Sequence, residues 1–226
     1  MKHSDTGKVP AYRVEKITET KDQPHRATID VQYPVFIVDG ASDKGDINTY
    51  VRSLIEPEIE AFLSEVEARG QLPEDEAAGG SSFRCDFEPL VATEPLVSLH
   101  LRCERYVAGA AHPIHWTKTV TANRLTLAVV SLTDLFSGAE DALDLIAMYA
   151  RRSLRDTLGD TDLLAEGTRP IADNFRAFLI TPTSLQILFD EYQVAPYAAG
   201  PQQVDIPWQQ LRSAIPTDSL LQQLVQ

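Results

Sequence analysis

Two long segments of the chain repeat apolar residues every three to four positions, and the segments around them alternate apolar and polar residues. The first covers residues 46–68 and is followed by Gly70. The second covers residues 139–158 and is followed by Gly159. Both patterns predict amphipathic helices that end at a glycine, and Pro57 is expected to kink the first helix. Because each helix must bury its apolar face, we expect both to pack on the sheet that the alternating segments form.

The alternating segments predict strands joined by short connections, which is typical of a mostly antiparallel sheet. The predicted strands are 12–20, 27–38, 83–88, 96–106, 115–123, 125–130, 175–181, 184–189 and 204–206. Pro34 lacks the N–H that a central strand donates, so the second of these is expected to be an edge or bulged strand. Together the patterns predict an α+β fold, a mostly antiparallel sheet with two long helices packed on it. No repeat or linker divides the pattern, so we expect one domain over residues 11–226 after a disordered tail at residues 1–10.

The chain has 226 residues and a formal net charge of −13. A negative field of this size repels phosphate backbones, so we expect no nucleic-acid partner. It also opposes docking on anionic lipid, whereas it attracts a basic protein. The simpler interpretation of the charge is that it keeps the protein in solution.

Two cysteines, Cys85 and Cys103, lie in neighbouring predicted strands. If the hairpin turns near Glu94, the two residues face each other and a cross-strand disulfide becomes geometrically possible. A disulfide would indicate an oxidising compartment, and two buried free thiols are the alternative. Two cysteines without nearby histidines are too few for a zinc site, so we expect no metal and no cofactor.

The sequence predicts no membrane insertion in this chain. No stretch approaches the roughly 20 apolar residues of a membrane-spanning helix. Residues 1–5 lead into polar residues rather than into the apolar run of a signal peptide. The expectation is therefore either a cytoplasmic protein or a mature or trimmed form of an exported one.

Two loops carry the residues that best fit proton transfer. His112 lies among small residues at 109–113, where an imidazole can act as a proton-transfer group or satisfy the backbone of a tight turn. Asp190 and Tyr192 follow a predicted strand. If these side chains meet His112, they form a binding pocket, a general acid–base pair or a structural polar network. The alternative for Asp190 is a strand-ending turn with a solvated carboxylate.

A further candidate is Tyr197, which lies among alanine, proline and glycine at residues 195–200. An aromatic side chain on such a loop suits stacking on a carbohydrate or docking of a peptide. The alternative is that Tyr197 fills the core while the small residues permit close packing. No serine-nucleophile motif, phosphate-binding glycine loop or zinc-protease motif occurs in the sequence.

Several longer phrases of the sequence resemble one bacterial protein family. They are VQYPVF at 31–36, LVSLHLRCERYVAGAAHP at 96–113, SLTDLF at 131–136, FDEYQVAPYAAG at 189–200 and VDIPWQQL at 204–211. The family is a domain of unknown function that forms the ectodomain of lysozyme-binding anti-sigma factors and accompanies the catalytic module of some peptidoglycan deacetylases. The resemblance covers about residues 12–213, although the turn at Asn123–Arg124 is shorter than is usual in the family.

The resemblance implies the fold, an extracytoplasmic setting in the periplasm or on the cell surface, and an affinity for something near the cell wall. We therefore expect a non-enzymatic binding domain for a basic protein such as lysozyme, or for a peptidoglycan-type glycan. The expected binding residues are His112, Asp190, Tyr192 and Tyr197. The competing hypothesis is an uncharacterised hydrolase that acts on cell-wall material through His112 and Asp190.

Overall fold

The computed structural model describes residues 9–37, 46–73, 79–88, 90–93 and 96–224. Most of the predicted disordered tail, and the predicted turn near Glu94, lie outside the described residues. The strands are β1 (Tyr12–Lys21), β2 (Ala27–Phe36), β3 (Ser81–Phe87), β4 (Val91–Ala92), β5 (Leu96–Tyr106), β6 (Ile114–Asn123), β7 (Phe178–Ile180), β8 (Ser184–Phe189) and β9 (Gln202–Pro207). The α-helices are α1 (Asp46–Arg69), α2 (Ala139–Leu158), α3 (Asp162–Gly167) and α4 (Trp208–Leu211). Short 3-10 helices cover Thr133–Leu135, Ala172–Phe175, Tyr197–Ala199, Arg212–Ala214 and Leu220–Leu224.

The chain forms two compact units. The N-terminal unit contains Ala11–Glu88 and Leu101–Lys118. The C-terminal unit contains Pro89–His100 and Thr119–Gln226. Strands β5 and β6 contribute residues to both units. The expected single domain over residues 11–226 stays a prediction.

The N-terminal unit is built from a sheet and the long helix α1. Strand β1 pairs antiparallel with β2, β2 pairs parallel with β3, and β3 pairs antiparallel with β5. Alternate residues of β3 and of the first part of β2 are buried, as expected for one face of a sheet that covers a core, whereas residues 33–36 of β2 are all buried. Phe62 of α1 packs against Phe83 of β3 with ring centroids 6.0 Å apart. The buried apolar residues of this core include Ile29, Val31, Val35, Val51, Ile55, Phe62, Val66, Phe83 and Leu101.

The boundaries of α1 follow from two local features. At its start, the buried side chain of Asn48 accepts the N–H of Phe36 at 2.8 Å and donates to the carbonyl of Phe36 at 2.9 Å. This pairing satisfies the backbone of Phe36 at the end of β2 and joins that strand to the helix. The helix continues through Pro57 and ends at Arg69, before Gly70 with a φ of 67°. A glycine tolerates this left-handed backbone without steric cost.

The predicted edge or bulged strand at Pro34 is wrong. Strand β2 lies between β1 and β3, and its register with β1 runs without interruption from Ala27 to Phe36. The ladder with β3 covers only Ala27–Val31. Pro34 therefore lies beyond the end of that ladder, where its missing N–H removes no hydrogen bond to β3.

The C-terminal unit is built around α2 and the antiparallel sheet β7-β8-β9. One face of α2 is buried, including Ile146 and Ala150. Trp208 is buried at the end of β9, and its indole N–H donates to the carbonyl of Thr181 at 2.9 Å. Burial of an aromatic side chain with its polar group satisfied makes Trp208 an anchor of this core. Other residues of the cluster are Leu135, Leu143, Phe175, Ile187, Phe189, Val204, Ile206 and Leu211.

The tight turn expected at Asn123 is confirmed, but the predicted strand at residues 125–130 is wrong. The side-chain oxygen of Asn123 accepts the N–H groups of Leu125 and Thr126 at 2.9 and 3.0 Å. Leu127 then takes a φ of 56°, and a single bridge joins Ala122 to Val129. Asparagine commonly satisfies the backbone two residues ahead in this way, which favours a turn over a strand.

The predicted fold class is confirmed as α+β with a mostly antiparallel sheet and two long helices, α1 and α2. The bounds of α2 agree with the prediction at both ends, and Gly159 follows it with its N–H donated to the carbonyl of Arg155. The short helix α3 was not predicted. It begins after Thr161, whose side chain accepts the N–H of Leu164 at 3.1 Å. In the described part of the chain, no helix has the length and apolar content that a membrane crossing requires.

Candidate functional site

Three of the four predicted binding residues lie on one loop of the C-terminal unit. Asp190, Tyr192 and Tyr197 belong to residues 190–200, which connect β8 to β9. We refer to residues 190–200 as the binding loop. The loop follows a strand that is buried over most of its length, so its first residues are fixed by the sheet.

Gln193 holds the first half of the binding loop in place. Its side-chain oxygen accepts the N–H of Asp190 at 3.3 Å, and its amide donates to the carbonyl of Asn174 at 2.8 Å. The backbone N–H of Gln193 donates to the carbonyl of Asp190 at 3.1 Å. Val194 and Ala195 are buried. The hydrogen bonds of Gln193 and the burial of Val194 and Ala195 therefore anchor the loop.

Gly167 fixes the same segment from the neighbouring helix α3. A Cβ atom at this position would lie 2.0 Å from the carbonyl oxygen of Gln193 and 2.8 Å from a side-chain carbon of Val194. Only glycine permits so close an approach of the helix end to the loop backbone. This contact and the hydrogen bonds of Gln193 determine the path of the loop.

The anchored loop presents a pair of aromatic rings. The rings of Tyr192 and Tyr197 have centroids 5.8 Å apart and an interplanar angle of 31°. Tyr192 is 57% exposed and has a φ of 65°, a left-handed conformation that is unusual for a tyrosine. Tyr197 is half-buried at the start of a 3-10 helix that Gly200 ends with a φ of 66°. Because Tyr197 is half-buried, its binding role and the alternative that it fills the core both stay predictions.

Asp190 lies at the base of the loop in an ion pair. Its carboxylate is 3.4 Å from a guanidinium nitrogen of Arg176, and its side chain is 15% exposed. The arginine is largely exposed. A carboxylate held in this way accepts hydrogen bonds from a fixed position, which suits recognition of hydroxyl or amide groups.

His112 belongs to the N-terminal unit, and its predicted meeting with Asp190 stays a prediction. Its Nδ1 lies 2.8 Å from the carbonyl oxygen of Pro113. Because a carbonyl oxygen can only accept, Nδ1 is the donor in this contact. Gly109 has a φ of 84°, as expected for the tight turn that the small residues predicted.

Cys85 and Cys103 also lie in the N-terminal unit, directly opposite each other in the β3–β5 ladder. Their sulfur atoms are 2.25 Å apart in a disulfide, and their Cα atoms are 4.1 Å apart. Both residues are buried. The disulfide closes a loop with a sequence separation of 18.

The sequence interpretation missed three residues that shape the candidate site: Gly167, Arg176 and Gln193. Gln193 lies within the quoted phrase at 189–200, but nothing in that phrase marks it as an anchor. Gly167 and Arg176 lie outside the quoted phrases, and Arg176 is 14 positions from its partner Asp190. Such contacts depend on how α3 and the 3-10 helix that follows it, Ala172–Phe175, pack against the loop, which the alternation of apolar residues does not reveal. Among the described residues, no group of three or more histidine, cysteine, aspartate or glutamate side chains could hold a metal ion.

Residues 133–209 match the family model described as "Protein of unknown function (DUF3298)". This segment is similar to DUF3298 domains. It contains the binding loop and the three residues that anchor it. The predicted likeness to a domain of unknown function is thereby confirmed, and the role as an ectodomain of lysozyme-binding anti-sigma factors stays a prediction.

A longer similarity joins the chain to a protein named as a peptidoglycan deacetylase. The chain is 28% identical over 181 residues to the peptidoglycan-N-acetylmuramic acid deacetylase PdaC of Bacillus subtilis strain 168. This alignment covers 78% of the chain and 36% of PdaC, so the chain spans about a third of that relative.

Two solved structures share the fold. A DUF3298 family member from Bacteroides fragilis NCTC 9343 has a TM-score of 0.59 and 16% identity, covering 96% of this chain and 98% of that one. A DUF3298 family protein from Pseudomonas aeruginosa PAO1 has a TM-score of 0.54 and 15% identity, covering 92% and 96% of the two chains. The likeness extends over both compact units of the chain and well beyond residues 133–209.

Proposed function

We propose that this chain is a non-enzymatic binding domain of the cell envelope, and that its binding loop recognises a peptidoglycan-type glycan. The observation that carries the proposal is the contact between the exposed ring of Tyr192 and the half-buried ring of Tyr197 on an anchored loop. Sugar rings present apolar C–H faces, and these stack on aromatic side chains with little conformational cost. The carboxylate of Asp190 supplies a fixed acceptor at the first residue of the loop.

The anchoring of the loop supports binding over a purely structural role. Gln193 and Gly167 hold the backbone, so the ring of Tyr192 is not required to fill the core. The left-handed backbone of Tyr192 costs on the order of 1–2 kcal/mol for a residue with a side chain. A conformation of this kind often persists at a binding site, where it aims a side chain at a ligand.

The comparison supports the class of ligand. PdaC is named for deacetylation of N-acetylmuramic acid in peptidoglycan. We infer that a domain shared with such a protein meets the same polymer, and therefore acts outside the cytoplasm. The Cys85–Cys103 disulfide supports this location, because disulfides persist in oxidising compartments.

A second candidate ligand is a basic protein such as lysozyme. The observation in its favour is the net charge of −13, which accelerates encounters with a cationic partner. The hydrolase alternative has less support. The carboxylate of Asp190 is paired with Arg176, and Nδ1 of His112 is engaged with the carbonyl of Pro113.

Sedimentation with purified, lysozyme-free peptidoglycan sacculi tests the proposal. We expect the protein to pellet with the sacculi, and the double variant Tyr192→Ala/Tyr197→Ala to remain in the supernatant. Tyr50→Ala is the matched control, since Tyr50 is an exposed tyrosine of α1 in the other unit. Equal sedimentation of all three proteins would reject the tyrosine pair as the binding site, and no sedimentation of any would reject the glycan.

A further inference from the structure

The N-terminal unit has a surface groove of about 410 Å³ between the β1–β2 turn and the last turns of α1. Its volume lies within the range of roughly 300–1,000 Å³ that is usual for small-ligand sites. The lining residues are Lys21, Gln23, Pro24, Leu63, Val66 and Glu67. None of them belongs to the binding loop, so the groove is separate from the site proposed above.

A buried histidine fixes the two walls of the groove. His25 follows Pro24 and is 5% exposed. Its Nδ1 donates to the carbonyl of Gly70, directly after α1, at 3.0 Å. Its Nε2 accepts the hydroxyl of Ser81 at 2.8 Å, and that hydroxyl oxygen accepts the N–H of Ala108 at 2.9 Å. The turn and the helix end are therefore held together without a ligand, which lowers the entropic cost of binding.

The floor of the groove is apolar and its rim carries both charges. Val66 is buried and Leu63 is half-buried, so together with Pro24 they offer an apolar surface. At the rim, Lys21 is an exposed cation, 3.7 Å from Glu19 in a weak surface pair. The side chain of Glu67 is an exposed anion with no ion pair or hydrogen bond to another described residue, while its backbone carbonyl accepts the N–H of Gly70.

We propose that this groove binds a short zwitterionic peptide with small apolar side chains. The peptide's carboxylate pairs with Lys21, and its ammonium group pairs with Glu67. The amide of Gln23 is available to the peptide backbone, and methyl-sized side chains contact Leu63 and Val66. A neutral glycan matches neither charge, and a nucleic acid offers no cation for Glu67. The charge pattern over an apolar floor therefore selects a peptide with both ends free.

The test uses the full chain, labelled with nitrogen-15, and follows amide shifts during titration with tri-alanine. We expect saturable shifts for residues 21–24 and 63–67, with a dissociation constant in the millimolar range. N-acetylated tri-alanine lacks the ammonium group and tri-alanine amide lacks the carboxylate. Each is expected to bind about fivefold more weakly, as loss of one exposed ion pair implies.

Paired variants assign each end of the peptide. Glu67→Gln should weaken tri-alanine about fivefold and leave the affinity for the N-acetylated peptide unchanged. Lys21→Gln should also weaken the binding of tri-alanine about fivefold, and it should leave the affinity for tri-alanine amide unchanged. Glu60→Gln on the same helix, which does not line the groove, should change nothing. Tyr197→Ala should also have no effect, which separates this groove from the binding loop.

Absence of shifts at about 10 mM tri-alanine would overturn the proposal. So would shifts that Glu67→Gln and Lys21→Gln leave unchanged, since the peptide would then bind elsewhere. These variants change exposed side chains, and the amide spectrum of each variant shows directly whether it is folded.

Discussion

Gly167 illustrates how one backbone contact positions the candidate binding residues. The carbonyl oxygen of Gln193 occupies the space where a Cβ atom of residue 167 would lie. The side-chain oxygen of Gln193 then accepts the backbone N–H of Asp190 and fixes that residue. The path of the binding loop thus depends on a residue that cannot itself contact a ligand through a side chain.

Gly167→Ala is expected to destabilise the protein by about 1–3 kcal/mol, because the added methyl group forces α3 and the loop apart. Urea denaturation measures the change in the free energy of unfolding. Gly79→Ala is the control, since a Cβ atom at Gly79 meets nothing within 4 Å. A Gly167→Ala protein as stable as the control would show that the loop shifts freely and is not anchored by this contact.

Tyr33 gives a prediction about pH. Burial raises the pKa of the Tyr33 phenol above its ordinary value of 10.0, and the nearby carboxylate of Glu15 adds to this, while Arg52 opposes it. The folded state therefore holds the phenol proton more tightly than the unfolded state does. The contribution of Tyr33 to the free energy of unfolding is fully present below pH 10 and is lost as the pH rises through the higher pKa of the folded state. The difference in unfolding free energy between the wild type and Tyr33→Phe should shift against the wild type above about pH 10. A difference that stays constant with pH would contradict this assignment.

For single residues, the sequence indicated which polar and aromatic side chains lie on the loop, but it did not indicate which other residues hold that loop in place. Asp190, Tyr192 and Tyr197 were found because they follow a strand and lie among turn-forming residues. Gly167 and Arg176 lie outside the loop, and Gln193 bonds to Asn174 outside it, so only the packing of these segments shows the anchors. The binding roles of His112, Asp190, Tyr192 and Tyr197 all stay predictions.

Secondary-structure elements were predictable where a regular apolar pattern extends over many residues and a helix-ending residue such as glycine follows it. Helix α2 has both, because its apolar face runs over Ala139–Leu158 and Gly159 follows. The segment 125–130 also alternates, but Asn123 satisfies the backbone ahead of it and turns the chain. Leu125 is 81% exposed, so its apolar character marks no buried face. Helix α3, Asp162–Gly167, is too short for a helical period to appear in the sequence.

The β3–β5 hairpin carries a prediction about the disulfide. Its closed loop has a sequence separation of 18, for which loop entropy implies a stabilisation of about 3 kcal/mol. A thiol reductant should lower the free energy of unfolding of the wild type by that amount. The variant Cys85→Ala/Cys103→Ala should show no response to the reductant. An unchanged wild type would mean that the bond does not contribute to stability.

The molecule as a whole divides in a way that the sequence does not reveal. Each compact unit is built from segments that are distant in sequence. The boundaries between the units fall inside strands β5 and β6. A boundary inside a strand leaves no linker, no glycine-rich stretch and no change in composition. The pattern of the sequence therefore predicted the fold class but gave no sign of two units.

The net charge of −13 is a property of the whole molecule, and it predicts how a basic protein binds to it at different salt concentrations. We expect hen lysozyme to associate weakly at low salt, with affinity falling at least about tenfold by physiological ionic strength, because salt screens long-range attraction. Isothermal titration calorimetry at the two salt concentrations measures this. Tight binding that persists at physiological salt would instead favour the basic protein as the specific ligand.

The most direct test of the central claim is titration of a soluble N-acetylglucosamine–N-acetylmuramic acid disaccharide into the wild type, Tyr197→Phe and Tyr197→Ala. If the ring stacks on the sugar, Tyr197→Phe retains most of the affinity and Tyr197→Ala loses about tenfold, corresponding to roughly 1.4 kcal/mol. If Tyr197→Ala binds as well as the wild type, the binding loop is not the glycan site and the proposed function is wrong.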